Sequence, residues 1–470
     1  MRPKTNSQSE FNFQPSSLQI TNEYYAKYEA ISGILDTHPE IINAVHRDLT
    51  KALKDAAVRD RRGAKFTFTS DTVLRIVLCQ IIEGLSLRQV IIRIDDSGFL
   101  RQFVRIYNGP MIDFTAYCKL RNCIQPKTWK KVNDLLAQAA VKEKLIEGEK
   151  LRIDTTAVET NIHWPTDSSL LWDAYRTLTR YIEQIRETDP VVVGDRRALL
   201  RKVKKLHQRI ARKASKHPQS TEVLKPLYIK LFGLVENILG WTGDIAGGLM
   251  RNLLEHRYAP LVQATMEFCL KDLLHFQNLG QRVLQQARRR IIDQQTVPNS
   301  EKIFSIFEPH TELLKRGKAD RPIEFGHMIQ IQQVEAKFIT DYEVFDQKPV
   351  EYELVDPAIE RHKELFGKCP EQLSADKGYY QNMDEIARLS KSIEVVAIAK
   401  KGKRTEEETE RETDPAFRHA QRFRAGVEGT ISFLKRVLGL FRCYNKGWEH
   451  YAATVGATVL AHNLLVLARC

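Results

Sequence analysis

Residues 151–162 read LRIDTTAVETNI, a run with the pattern of a β-strand that nonetheless carries a carboxylate, Asp154. In a strand of period two, Leu151 and Ile153 share one face, and Asp154 lies on the other with Thr156. A charge among core-like neighbours is costly unless water, a cation or a metal satisfies it. The fold therefore turns on whether other acids join Asp154.

Composition narrows what those acids serve. The chain has 470 residues, enough for about two to four domains, and 43% of them are apolar, which is ordinary for a globular protein. Lys plus Arg number 72 against 59 Asp plus Glu, a net charge of +13, and the pI is near 9.3. That balance points to a polyanionic partner, nucleic acid before membrane, although a basic soluble enzyme has the same charge. The seven cysteines are scattered, and only Cys118 and Cys123 lie close together, without a second pair at zinc spacing. They read as reduced thiols. The amino terminus is polar and shows no apolar stretch of signal-peptide length, so the protein is expected to stay in the cytoplasm. YAATVGATVLAHNLLVLA, 451–468, is nearly uncharged and about as long as a short membrane span. His462, Asn463 and its threonines favour a buried core helix, so no membrane partner is expected.

Upstream of Asp154 the chain reads as helices. In 68–106, Val73, Ile76, Val77, Gln80 and Ile81 recur at helical spacing, Gly84 marks a turn, and Ser86 stands where an N-cap belongs. A second pair follows, DFTAYCKLRNCI and then a helix opened by Pro126. Helix, short turn, helix is a shape that enters a major groove; it is also the shape of any small bundle. Between Asp154 and residue 320 the pattern is strongly helical, with no clear strand. Residues 196–216 hold ten Lys or Arg and no acid around a stripe of Leu199, Val203, Leu206 and Ile210. Such a helix has one dry side, and its cationic remainder, with Arg201, Lys202, Lys205, Arg209 and Lys213 on flanking or outer faces, suits a line of DNA phosphates. A merely solvated face would ordinarily carry acids as well.

Strand character returns at 322. Alternating runs over 323–334 and 337–346 predict an antiparallel hairpin. EQLSADKGYY ends a short strand at Asp376, a helix covers 382–391, and 393–400 reads as a buried strand. KKGKRTEEETERETDP, 400–415, lacks core-forming residues and reads as a mobile loop. RHAQRFRAGVEGTISFLKRVLGLFRC then forms a helix carrying Glu428. Asp154, Asp376 and Glu428 thus come from three elements. Three carboxylates are hard oxygen ligands suited to a pair of divalent cations, with positions left for phosphate and water.

These segments resemble the DDE transposases of bacterial insertion sequences. The resemblance is carried by EGLSLRQV and FLRQFVRI, by RIDTTAVETNI, by SADKGYY and by RFRAGVEGTISFLKR. In the signature Tyr-x2-Arg-x3-Glu-x6-Lys, Arg424, Glu428 and Lys435 fit the spacing, while Gln421 stands at the tyrosine position. The resemblance implies an RNase H-like α/β catalytic domain, a mixed five-stranded sheet with helices, formed by 148–164 and 321–470. A helical insertion over 165–320 interrupts it, a helical DNA-binding domain over 23–147 precedes it, and 1–22 is a polar tail. Residues 1–147 are expected to bind element ends by themselves. Asp154, Asp376 and Glu428 would be catalytic and hold two Mg2+ ions, with Mn2+ as a substitute; Arg424 and Lys435 would contact DNA phosphate. Partners implied are double-stranded DNA, as terminal inverted repeats and target, and further copies of the chain, at least a dimer, associated with the bacterial nucleoid. Two other readings remain: a DNA-binding protein that keeps the fold without chemistry, and a metal nuclease without strand transfer.

Overall fold

A computed structural model describes residues 4–5, 16–57, 68–216, 221–315 and 322–469. Two compact units emerge, 1–161 with 326–470, and 162–325. The first opens with helices α1 (Gln19–Thr37), α2 (Pro39–Ala57), α3 (Ser70–Ile82), α4 (Leu87–Asp96), α5 (Gly98–Phe103), α6 (Phe114–Asn122) and α7 (Pro126–Lys142). Local chemistry sets their ends. Thr69 caps α3, Gly84 turns at φ 63°, Ser86 and Gln89 form a reciprocal capping box on α4, and Pro126 opens α7. Arg75 is wholly buried in α3 and donates to Asp71 (2.7 Å), Ser32 (2.7 Å) and Asp36 (2.8 Å), so its charge is paired rather than stranded.

Strand β1 (Lys150–Thr160) follows, and the chain then enters the second unit. That unit contains α8 (Asp167–Thr188), α9 (Pro190–Val193), α10 (Leu200–Lys216), α11 (Thr221–Leu254), α12 (Pro260–Ile291) and a short strand β2 (Glu312–Lys315). Its helices enclose their own core, which includes Leu178, Ile182, Leu231, Val235, Leu273 and Val283. Gly280 allows α12 to approach closely, since a Cβ there would lie 3.1 Å from Leu239 and 3.4 Å from Ala174. The expectation of no strand before residue 320 is corrected by β2, too short to show an alternating pattern. Leu199 also departs from expectation: it precedes α10 and is exposed, while Val203, Leu206 and Ile210 form the buried stripe.

The rest of the first unit comprises β3 (Ile323–Gln333), β4 (Ile339–Val344), α13 (Val355–Phe366), β5 (Gln372–Ala375), α14 (Met383–Leu389), β6 (Val395–Ile398), α15 (Glu406–Thr413), α16 (Pro415–Arg436), β7 (Arg442–Cys443) and α17 (Trp448–Leu467). The fold is mixed α/β, with an open mixed sheet of seven strands rather than the five expected, because β2 and β7 also join. Across its centre the order is β4-β3-β1-β5-β6. β3 runs antiparallel to β1 and to β4, whereas β1, β5 and β6 are parallel. Glu159 of β1 faces Gly326 of β3, so the chain leaves and re-enters this unit at one point. An insertion with adjacent ends leaves the strand pairing undisturbed.

The amino-terminal helices have no separate core. Val73, Trp129 and Leu136 belong to one apolar cluster with Val158, Ile329, Ile339, Val455 and Leu460. Cutting the chain after 147 would expose that cluster; the helices of 23–147 belong to the same compact unit as the sheet. The apolar α17 lies inside this cluster, and its polar residues serve the sheet edge: Asn463 accepts from Ile339 N (2.9 Å) and donates to Ile339 O (2.8 Å). The 400–415 stretch is likewise corrected: it contains α15, begun by a capping box of Thr405 and Glu408, whose buried carboxylate accepts from Tyr380 (2.6 Å) and Lys400 (2.8 Å). Capping and one buried ion pair replace the missing apolar stripe. All six described cysteines are free.

At Gly456 α17 lies close against α7 and β4, since a Cβ there would strike Trp129 and Tyr342. Gly456→Ala is expected to lower stability by about 1–3 kcal/mol in urea unfolding. An unchanged midpoint would show that the amino-terminal helices are not packed on the sheet in this way.

Candidate active site

Strand register brings the first two acids together. Arg152 pairs with Ser374 across the parallel β1 and β5, so continuing the register sets Ala375 beside Ile153 and Asp376 level with Asp154. Neighbouring strands lie about 4.8 Å apart. β5 ends at Ala375, which puts Asp376 at the carboxyl end of a parallel strand, where open α/β sheets place their sites. Asp376 Oδ1 accepts the Gly378 N–H (2.6 Å), and Asp154 Oδ1 accepts that of Thr155 (2.8 Å).

Helix α16 crosses this strand end on three polar ties. Arg152 is buried on β1 and donates to Phe423 O (2.5 Å) and Gln333 Oε1 (2.8 Å), with its guanidinium stacked over the Phe423 ring. A Cβ on Gly426 would fall on that guanidinium, so glycine is what lets the helix lie there. Thr430 and Gln333 also bond (3.0 Å). Gln421, at the signature's tyrosine position, donates to Ala375 O (3.3 Å) and Ala397 O (2.6 Å), tying α16 to the ends of β5 and β6 beside Asp376.

The helix thereby sets Arg424 between two acids, 3.7 Å from Asp154 Oδ2 and 3.5 Å from Glu428 Oε1. The Glu428 side chain is 71% exposed, against 14% for Asp154. Glu428 therefore reaches the site through Arg424 rather than facing the two aspartates as an equal. Lys435 lies in the last turn of α16, partly buried, seven residues beyond Glu428 and hence about 10 Å along the helix. In the second unit Arg201, Lys202, Lys205, Arg209 and Lys213 are all exposed, and none forms an ion pair among the described residues.

Burial, then the charge of Asp376, pushes the Asp154 carboxyl up to about 6; Arg424 opposes the shift. Two adjacent carboxylates, with the Arg424 guanidinium 3.7 Å from the first of them, are hard oxygen donors of the kind a divalent cation takes. As they stand, no three Asp, Glu, His or Cys side chains among the described residues are drawn together closely enough to hold a metal.

Sequence reasoning missed a fourth acid. Glu351, between β4 and α13, accepts a hydrogen bond from Thr155 Oγ1 (2.6 Å) and also raises Asp154. Nothing in its spacing singles it out. The available signal is Gly378, which reads as a turn residue in DKG and whose missing Cβ leaves room for the Glu351 carboxylate. Compared with known protein families, curated proteins and solved structures, the chain finds no match.

An ionised Asp154 is penalised in the folded state. Between its ordinary 3.8 and about 6 the folded protein holds the extra proton, so stability falls as pH rises through this window. Asp154→Asn should therefore stabilise the metal-free protein by about 1–3 kcal/mol at pH 8 and not at pH 3.5. Equal unfolding midpoints at pH 8 would contradict the burial and pairing of this acid.

Proposed function

We propose that the chain is a DNA transposase of the DDE type, with an RNase H-like catalytic fold, that cuts element ends and joins them to target DNA. The observation that carries this reading is the parallel pairing of β1 with β5, which, continued one residue past the end of β5, sets Asp376 level with Asp154, beside a helix bearing Arg424 and Glu428. In further support, the sheet is mixed and its first two long strands are separated by a helical unit. Asp154, Asp376 and Glu428 would hold two Mg2+ ions, or Mn2+ in their place. When bound, such ions activate the attacking oxygen and stabilise the leaving oxygen of a phosphodiester.

The chain's own groups do the positioning. Arg424 neutralises the acids in the free protein and is placed to turn to a phosphate once other positive charge occupies the site. Gln421 and Arg152 keep α16 over the strand ends, and Lys435 offers a second cation farther along the same helix. The nucleophile is water in strand cleavage and the freed 3′-hydroxyl in strand transfer. Exposed cations on α10 offer a line of phosphate contacts, which position duplex without reading its sequence. The working form would be at least a dimer on DNA, in the cytoplasm.

Labelled duplexes carrying the repeats that bound the gene, incubated with Mg2+, test this reading. Wild type should yield cut ends and joined products, while Asp154→Asn, Asp376→Asn and Glu428→Gln lose cutting and retain binding. Cut ends without joined product would make it a nuclease; binding without cutting would make it a DNA-binding protein.

The cationic helix makes a separate prediction. Log affinity for duplex should fall with log salt at about 0.9 per phosphate contact, so replacing Lys202, Lys205, Arg209 and Lys213 with Gln should flatten the slope by up to about 3 to 4 units. Sequence preference should persist. An unchanged salt slope with normal transposition would leave this face merely solvated.

A further inference from the structure

Between α16, α17 and the turn that joins β3 to β4 lies a pocket of about 140 Å³, and none of the residues lining it is an acid. Phe433 of α16 and Leu465 and Val466 of α17 give it apolar walls. An apolar cavity of about 150 Å³ takes one benzene ring. His462 lines the pocket as well, and burial pushes its imidazole down to about 4, so the ring is uncharged near neutrality.

Gly429 is a second, separate observation. It stands in the interior of α16, where glycine weakens a helix relative to alanine. A Cβ there would meet nothing within 4 Å, so no close approach demands the glycine. The residue lines the pocket, and its missing side chain is room left to an occupant.

Charge enters at the mouth. Lys337 and Arg469 line the pocket, both are exposed, and neither is ion-paired among the described residues. Lys337 is presented by a strained turn, since Ala336 and Lys337 are successive non-glycine residues at φ 54° and 63°, a conformation that ordinarily falls to Asn-Gly. Its carbonyl is held by His462 Nε2 (2.9 Å) and Gln333 Nε2 (2.6 Å), which fixes the backbone at this place. Two cations without acids, at the mouth of a neutral apolar pocket, match a molecule that carries its negative charge at one end of an apolar body.

We propose that this pocket binds a small monocarboxylic acid, its apolar body about the size of one aromatic ring against Phe433, Leu465 and Val466, and its carboxylate on Lys337 and Arg469. The ligand lies against Gly429, next in the chain to Glu428, and beside Thr430, whose bond with Gln333 is one of the ties that hold α16. A small acid bound here thus touches the helix that carries Arg424 and Glu428, from outside the acid cluster. The inference does not depend on the reading of those acids.

The full chain, titrated with 4-fluorobenzoate and with 4-fluorobenzyl alcohol as its uncharged counterpart and followed by fluorine NMR, tests this. Wild type should bind the acid at least tenfold more tightly than the alcohol. Gly429→Leu sends a side chain into open space and should keep its unfolding midpoint in urea, yet bind the acid at least tenfold more weakly. Lys337→Gln combined with Arg469→Gln should hold the acid no better than the alcohol. Absence of binding to wild type, or affinity for the acid unchanged in both variants, would overturn the pocket as a ligand site. Equal affinity of wild type for acid and alcohol would overturn the carboxylate.

Discussion

Arg152 is the residue on which the arrangement of the site depends. A guanidinium buried between a strand and a helix must find acceptors, and it finds them in Gln333 on β3 and the Phe423 carbonyl on α16. Satisfying one charge thus fixes three elements against each other. Gly426 is the complementary concession, because any side chain there would displace the guanidinium and lift the helix. Once α16 is held, Arg424 faces Asp154, and Glu428 follows one turn on.

Like charges on neighbouring strands are the second constraint. Asp376, just past the end of β5, acts on Asp154 of the neighbouring β1, and burial of Asp154 withholds the water that would screen the pair. The folded chain therefore carries an unfavourable interaction that a hydrophobic or amide replacement would remove. Such local instability is common where the charge serves chemistry.

The remaining parts of the chain follow from what each can bury. α17 has the composition of a membrane span, yet Asn463 completes the hydrogen bonds of β4 at Ile339. The same helix supplies the core that the amino-terminal helices share with the sheet. In contrast, the helices between β1 and β3 enclose a core of their own, and their ends meet at Glu159 and Gly326. α10 buries Val203, Leu206 and Ile210 and leaves its cations in solvent, as its spacing demands.

By itself the sequence determined the elements with strong local signals: the β1 pattern around Asp154, the hairpin, the capped pair α3 and α4, and the cationic helix. Those signals are local because periodicity, caps and turns act over a few residues. Asp154, Asp376, Arg424 and Glu428 were singled out as candidates through spacing and resemblance. Their inequality was not, because burial separates Asp154 from Glu428 and depends on where α16 lands. Only tertiary structure brought Glu351 into the site, 197 residues from Asp154 along the chain. Its neighbours Thr155 and Gly378 lie on other strands and turns. It was tertiary structure, too, that merged the amino-terminal helices with the sheet, since a shared core arises from contacts between distant segments that no local pattern records.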